Sequence, residues 1–169
     1  MQNYLRSPFL VYEFWKMTHL ATPMIQFHLQ NISFSFRNRK ILKAFIVRLF
    51  QKERKDLGHL DYVFCTDQEL LDINRTHLGH DYYTDVITFD LSSKPGPIHA
   101  EIYVSVERIK DNARLFNVPQ SEEFTRVILH GALHLCGYRD KSRSDQRLMR
   151  KKENFYLEGY RAFHVKQRR

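Results

Sequence analysis

His130 and His134 stand four residues apart in the stretch HGALHLCGYRD. On a helix, side chains at i and i+4 share one face, with Cβ atoms about 5–6 Å apart. Two imidazoles placed that way can converge on one metal ion at Zn–N distances of about 2.0–2.1 Å. The spacing alone is weak evidence, because nine histidines in 169 residues make a chance pair at this spacing a roughly even prospect. The competing explanation is a pair of ordinary histidines on a helix flank. The continuation of the stretch carries more. Gly137 stands where a helix C-terminus takes a left-handed residue. The chain can turn back there and bring Asp140 over the histidine face. Two imidazoles and one carboxylate leave a coordination position open, as catalytic zinc sites do. Cys136 competes as a ligand, but it lies two residues beyond His134, off the shared face, and reads as a small buried hydrophobe.

Gly131 decides which chemistry such a metal could do. In H-E-x-x-H peptidases the residue after the first histidine is a glutamate, the general base. Gly131 offers no such group, so the metal would act mainly as a Lewis acid, or as a water activator whose proton leaves by another route. Glycine in mid-helix costs about 1 kcal/mol relative to alanine. The expectation is that its missing side chain leaves room over the metal, enough for a bulky phosphodiester.

The elements around the motif follow from periodicity. Residues 25–36 alternate apolar and polar and predict a strand, with a phase shift near Gln30 and Asn31. Ile41, Leu42, Phe45, Ile46, Leu49 and Phe50 recur at helical spacing. HLDYVFC predicts a second strand. Thr66 and Glu69 form a capping box for a helix that runs to about His77 and stops at Gly79. DVITFDL and IHAEIYVS predict two more strands around the turn-rich SKPGP. Ser105 is placed to cap the next helix, and Ser121, after Pro119, to cap the helix that carries the histidines. A last helix spans about residues 144–163. The order β-α-β-α-β-β-α-α-α argues a single α+β domain with an approximately four-stranded mixed sheet. Its metal site lies on the helix carrying H-x-x-x-H. Residues 1–23 show no periodic pattern and fit an N-terminal extension or a misassigned start, with the functional domain at 24–169.

The charge is unevenly placed. Residues 37–55 and 139–169 each carry a net +7, against +8 for the whole chain, so the remainder is net −6. Two basic segments on an acidic body suggest a footprint for a polyanion, although a lone basic helix is as a rule a solvated face. The candidate phosphate contacts are Lys40, Lys43 and Lys52 in the first segment and Arg147, Lys151 and Lys152 in the second. Two cysteines, Cys65 and Cys136, make a disulfide framework unlikely to be the basis of the fold. With no secretory signal they point to a reducing, cytoplasmic setting. The early apolar run FLVYEFWKM is interrupted by Glu13 and Lys16, which excludes a membrane span.

Three segments resemble one family. HGALHLCGYRD is similar to the H-G-x-L-H-L-x-G-Y-D-H signature of the YbeY bacterial rRNA maturation endoribonucleases. Residues 84–90, TDVITFD, resemble that family's T-D-V-L-S-F-P. Residues 100–113, AEIYVSVERIKDNA, resemble its G-D-I-x-I-S segment and following helix. The resemblance covers about residues 24–155. It implies an α+β fold with one zinc ion held by three side chains. The implied activity is single-strand-specific cleavage of RNA in 16S rRNA 3′-end maturation and ribosome quality control. RNA, the ribosome or its small subunit would be the partners, with no membrane and no DNA specificity. His130 and His134 match the first two ligands. The third falls at Asp140, where the family has histidine. A carboxylate oxygen can bind zinc at about 2.0–2.2 Å, and it shifts preference toward harder divalent metals.

A second departure lies upstream. The family arginine six residues before the Thr of T-D-V is Leu78 here. Arg75, three residues earlier on the same helix, is the candidate catalytic substitute, with a solvated surface arginine as its competitor. His80 and Asp81 sit in the loop on the side where substrate would approach. The leading expectation is a metal-dependent endoribonuclease. A metallopeptidase-like hydrolase and a non-catalytic ribosome-associated RNA-binding factor with a structural metal are the alternatives.

Overall fold

The computed structural model of the chain describes residues 22–93 and 95–167. The proposed extension, except for its last two residues, lies outside the described residues. The elements are β1 (Met24–Leu29), α1 (Arg39–Lys52), β2 (Leu57–Cys65), α2 (Asp67–Ile73), β3 (Val86–Asp90), β4 (Ile98–Ser105), α3 (Val106–Leu115), α4 (Gln120–Leu135) and α5 (Arg143–Lys166). A π-turn, Asn74–Leu78, extends α2. Nothing in this order departs from the sequence expectation. The sheet runs β1-β2-β4-β3, with β1, β2 and β4 parallel and β3 antiparallel to β4 at the edge.

Alternation along the strands builds two cores. Leu60, Tyr62 and Phe64 of β2 and Ala100, Ile102 and Val104 of β4 face α1, α4 and α5, in the main cluster. Cys65 and Ile87 point to the other face, where Leu70 of α2 covers them. The two central strands are thus fully buried on the face toward α1, α4 and α5, while the other face is covered only near Cys65 and is half-buried at His59, Asp61 and Glu101.

Three expectations change in detail. β1 stops at Leu29, because Asn31 takes a positive φ of 53° and breaks the ladder. Ile32, Phe34 and Phe36 keep the alternation without a strand partner. They are half-buried, and Phe34 and Phe36 stack into an aromatic cluster with Phe64 and Phe124. Hydrophobic packing, not strand pairing, selected that pattern. Ser121 does not cap α4: Pro119 is the cap residue, and Ser121 lies one residue inside the helix. Pro119 takes φ −57° and ψ 138°, the extended backbone of an N-cap, and no side chain caps the helix there. The last helix starts at Arg143, where Ser142 caps it in a capping box with Asp145, and it runs three residues past the expected end, to Lys166. The Thr66–Glu69 box and the Ser105 cap form as the sequence expectation has them. Among the described residues no helix is long and apolar enough to cross a membrane.

Candidate metal centre

Helix α4 is set directly against the sheet. The hydroxyl of fully buried Tyr62 donates to the Ile128 carbonyl at 3.0 Å and pins the helix two residues before His130. At Gly131 the approach is closest: a Cβ there would stand 2.8 Å from Ile102 Cγ2 and 3.3 Å from Val86 Cγ2. This corrects the expectation that Gly131 leaves room over the metal. Its missing side chain faces β3 and β4, and the glycine exists so that helix and sheet can touch. A glutamate at that position has no space at all.

On the flank of α4 that turns away from the sheet, His130 and His134 meet with their Nε2 atoms 2.9 Å apart. Each ring is held from behind. His134 Nδ1 lies 2.9 Å from the Tyr138 carbonyl, which can only accept, so Nδ1 carries the proton. His130 Nδ1 lies 2.8 Å from Glu153 Oε1. Burial works against ionising Glu153, but its hydrogen bond to His130 prevails and holds its pKa below the usual value. The carboxylate is therefore the acceptor, and His130 Nδ1 also carries its proton. The two Nε2 atoms then face each other: a protonated His130 donates to His134 across the gap, and as neutral rings both offer a lone pair to a cation.

Asp140 completes the group. Its Oδ2 lies 3.7 Å from His130 Nε2 and 3.6 Å from His134 Nε2. A tetrahedral ion with bonds of about 2.0–2.2 Å keeps its ligand atoms roughly 3.3–3.5 Å apart. The three observed separations bracket that spacing, and the donor set of two imidazoles and a carboxylate suits zinc or a harder divalent ion. His130, His134 and Asp140 could thus hold a metal ion. What brings Asp140 there is the chain reversal. Gly137 takes φ 101°, with Gly137 N–H bonded to the His134 carbonyl and Tyr138 N–H to Leu133. This is the two-bond glycine motif that ends helices. It also returns the Tyr138 carbonyl to His134. The nearby Asp145 is committed to the α5 cap.

The charges around the group are unequal. Burial disfavours protonation of His130, yet Glu153 and then Asp85 and Asp140 outweigh it and raise its pKa. Burial and the neighbouring His130 charge lower that of His134. Asp85 is itself pushed up by burial. Sequence reasoning passed over Glu153 as a partner. The signal was present: Met149, Glu153, Tyr156 and Leu157 form the buried stripe of α5, and a glutamate on such a stripe needs a partner. Cys136 is buried as expected, and burial pushes its thiol up to about 12, which leaves it protonated and inert.

The group opens into a cleft of about 780 Å³ lined by His134 and Asp140 together with Arg54, Lys55, Leu78, His80, Tyr82 and Lys141. A family model described as Endoribonuclease YbeY matches residues 24–161. The chain belongs to the YbeY endoribonuclease family. An Endoribonuclease YbeY of Flavobacterium psychrophilum is 45% identical over 85% of this chain and 99% of its own. One of Cytophaga hutchinsonii is 41% identical over 79% of this chain and 93% of its own. A solution structure from Thermotoga maritima matches with a TM-score of 0.55 and 27% identity, over 85% of this chain and 93% of that one.

The other positions singled out by the YbeY resemblance are placed as follows. Leu78, at the family arginine's position, lines the cleft. Arg75 does not; it is exposed and held by Asp81 at 2.7 Å and Asp72 at 3.5 Å. Lys40, Arg147 and Lys151 are exposed. Lys43 lies over the Phe27 ring and Lys52 over Phe155. Lys152 is drawn inward, 2.9 Å from Glu53. None of these six lysines and arginines lines the cleft, whose cations are Arg54, Lys55 and Lys141.

Proposed function

We propose that this chain is a metal-dependent, single-strand-specific endoribonuclease of the cytoplasm. It would act on rRNA, in 16S 3′-end maturation and ribosome quality control, in contact with the small subunit. The observation that carries the reading is the meeting of His130, His134 and Asp140 at the edge of an open cleft, in a chain of this family. His130, His134 and Asp140 would hold a divalent ion, zinc by preference, which would supply Lewis acidity to the phosphodiester. The chain's own residues supply the rest. Glu153 and the Tyr138 carbonyl keep the Nδ1 protons of both histidines in place, so both Nε2 atoms are left to serve as metal ligands. Asp140, with its side chain 46% exposed, keeps one side of the group open to solvent and substrate. Cations at the rim hold the strand through its phosphates.

The peptidase alternative fails on space, since the Ile102 and Val86 methyl groups occupy the position its glutamate would need. A purely structural metal is disfavoured by the open side of the group: no fourth His, Cys, Asp or Glu joins it among the described residues. The test measures metal content and RNA cleavage for wild type and His130→Ala, on single-stranded RNA and on a duplex. Wild type is expected to carry metal and cut only the single strand, and the variant to lose both properties. Equal cleavage by the metal-free variant would remove the reading.

A further inference from the structure

We propose that Tyr82 and His80 form a base-stacking platform in the cleft, a binding site for one unpaired nucleobase of the substrate strand. The proposal rests on the endoribonuclease reading and names what gives that site its preference for single strands.

Tyr82 is 58% exposed, although it is a large aromatic side chain in an ordered loop. Its ring lies 5.2 Å from that of His80 at 20°, a parallel stack, and its hydroxyl is 3.2 Å from His80 Nδ1. The loop is fixed from beneath, because the buried Asn74 side chain donates to the Tyr82 carbonyl at 2.9 Å. The two rings are thus pre-arranged, yet much of their surface faces water. Exposed apolar surface that is held rigid in a cleft marks a place for a ligand.

The surroundings say which ligand. The same cleft is lined by His134 and Leu78, by the carboxylates Asp56, Asp90 and Asp140, and by the exposed cations Arg54, Lys55 and Lys141. None of those three cations has an ion-pair partner among the described residues. Aromatic faces beside cations that track a backbone are the composition of single-strand nucleic acid sites. Tyr83, the neighbouring exposed tyrosine, lies under the Arg108 guanidinium at 5.0 Å and does not line the cleft. Only Tyr82 of the two is available. A base in a duplex is already stacked and paired, and extracting it costs a few kcal/mol. A platform that needs a free base face therefore favours unpaired strands over duplex without reading their sequence.

The test uses the full metal-loaded chain, a labelled single-stranded RNA, and the same strand with abasic sites at equal length and charge. Fluorescence anisotropy gives affinity, and initial rates give KM and kcat. Wild type is expected to bind the intact strand more tightly than the abasic one. Tyr82→Ala should weaken binding of the intact strand by about fivefold or more, the loss of one base–aromatic stack, and raise KM rather than lower kcat. Tyr82→Phe should keep wild-type affinity, and metal content and circular dichroism should not change in either variant. The proposal is overturned if wild type binds both strands equally, or if Tyr82→Ala loses nothing on the intact strand. A wild type that binds no RNA would remove the nuclease reading as well, so that failure appears in the wild type and failure of the platform alone in the comparisons.

Discussion

At the scale of single residues, Asp140 is the departure from the family signature that matters most. A role as a mere helix cap or surface ion pair would tolerate asparagine, since Asn caps about as well as Asp and an exposed pair is worth about 0–1 kcal/mol. A ligand role does not, because an amide oxygen is an uncharged, weaker donor. Asp140→Asn should therefore lower metal affinity at least about tenfold, or roughly 1.4 kcal/mol, with an unchanged circular dichroism spectrum. Asp140→His should retain metal and shift preference toward zinc. Both are read by metal titration of the apo-protein, and tight binding by the Asn variant would exclude Asp140 as a ligand. Glu153→Gln tests the partner behind His130. Loss of such an orienting carboxylate typically costs about 10–100-fold in metal affinity, measured in the same titration. The histidines and Asp140 were legible in the sequence because a helix period and a helix-ending glycine fix where they point. Glu153 was not linked to them, because its partner lies 23 residues away on another helix and no local period connects the two.

Between elements, two contacts set the site. The first is α4 against the sheet at Gly131. Alanine there gains about 1 kcal/mol in helix propensity. It also places a methyl group 2.8 Å from the branched end of fully buried Ile102, and overpacking costs about 1–3 kcal/mol. Gly131→Ala should thus be net destabilising and tilt the histidine helix, seen as a lower denaturation midpoint and weaker metal binding together. The second is Glu53, at the end of α1. It accepts from Tyr156, from Lys152 at 2.9 Å and from the Tyr138 hydroxyl at 2.8 Å, tying α1 and α5 to the segment that holds His134. Burial works against its charge, but these donors prevail and its pKa lies below the ordinary 4.5. A depressed acid stabilises the fold above its unfolded pKa and loses that contribution as pH falls through the folded one. Stability should therefore decline as pH drops below about 4.5, the unfolded value. Glu53→Gln should flatten that decline and cost about 2 kcal/mol at neutral pH, as expected for hydrogen bonds to a charged group; denaturation at several pH values checks both. The helices, strands and caps were readable because period and capping are local signals. The end of β1 was not, because Phe34 and Phe36 alternate for the sake of Phe64 and Phe124, which come much later in the chain.

Across the whole molecule, the question is which of the many basic residues meet the substrate. Net charge alone cannot separate them, but their partners can. Lys152 is bound to Glu53 and lies 4.8 Å from the Tyr138 ring centre, so releasing it to a phosphate would break the tie just described. Lys43 is half-buried over Phe27. Lys40, Arg147 and Lys151 are exposed on the two basic segments, and Arg54, Lys55 and Lys141 sit in the cleft itself. Each phosphate contact to a single strand contributes about 0.7 to the slope of log K against log salt. RNA affinity should therefore fall steeply with salt, and replacing Lys55 or Lys141 by alanine should reduce the slope by about 0.7 each. Lys152→Ala should leave the slope unchanged and lower thermal stability instead, because its charge is already neutralised by Glu53. Arg147→Ala and Lys151→Ala report on the α5 face: a reduced slope places the strand along that helix. Binding measured by anisotropy at several salt concentrations distinguishes these outcomes. A flat salt dependence in the wild type would remove phosphate contacts from the account altogether, and would leave stacking at Tyr82 as the main source of affinity.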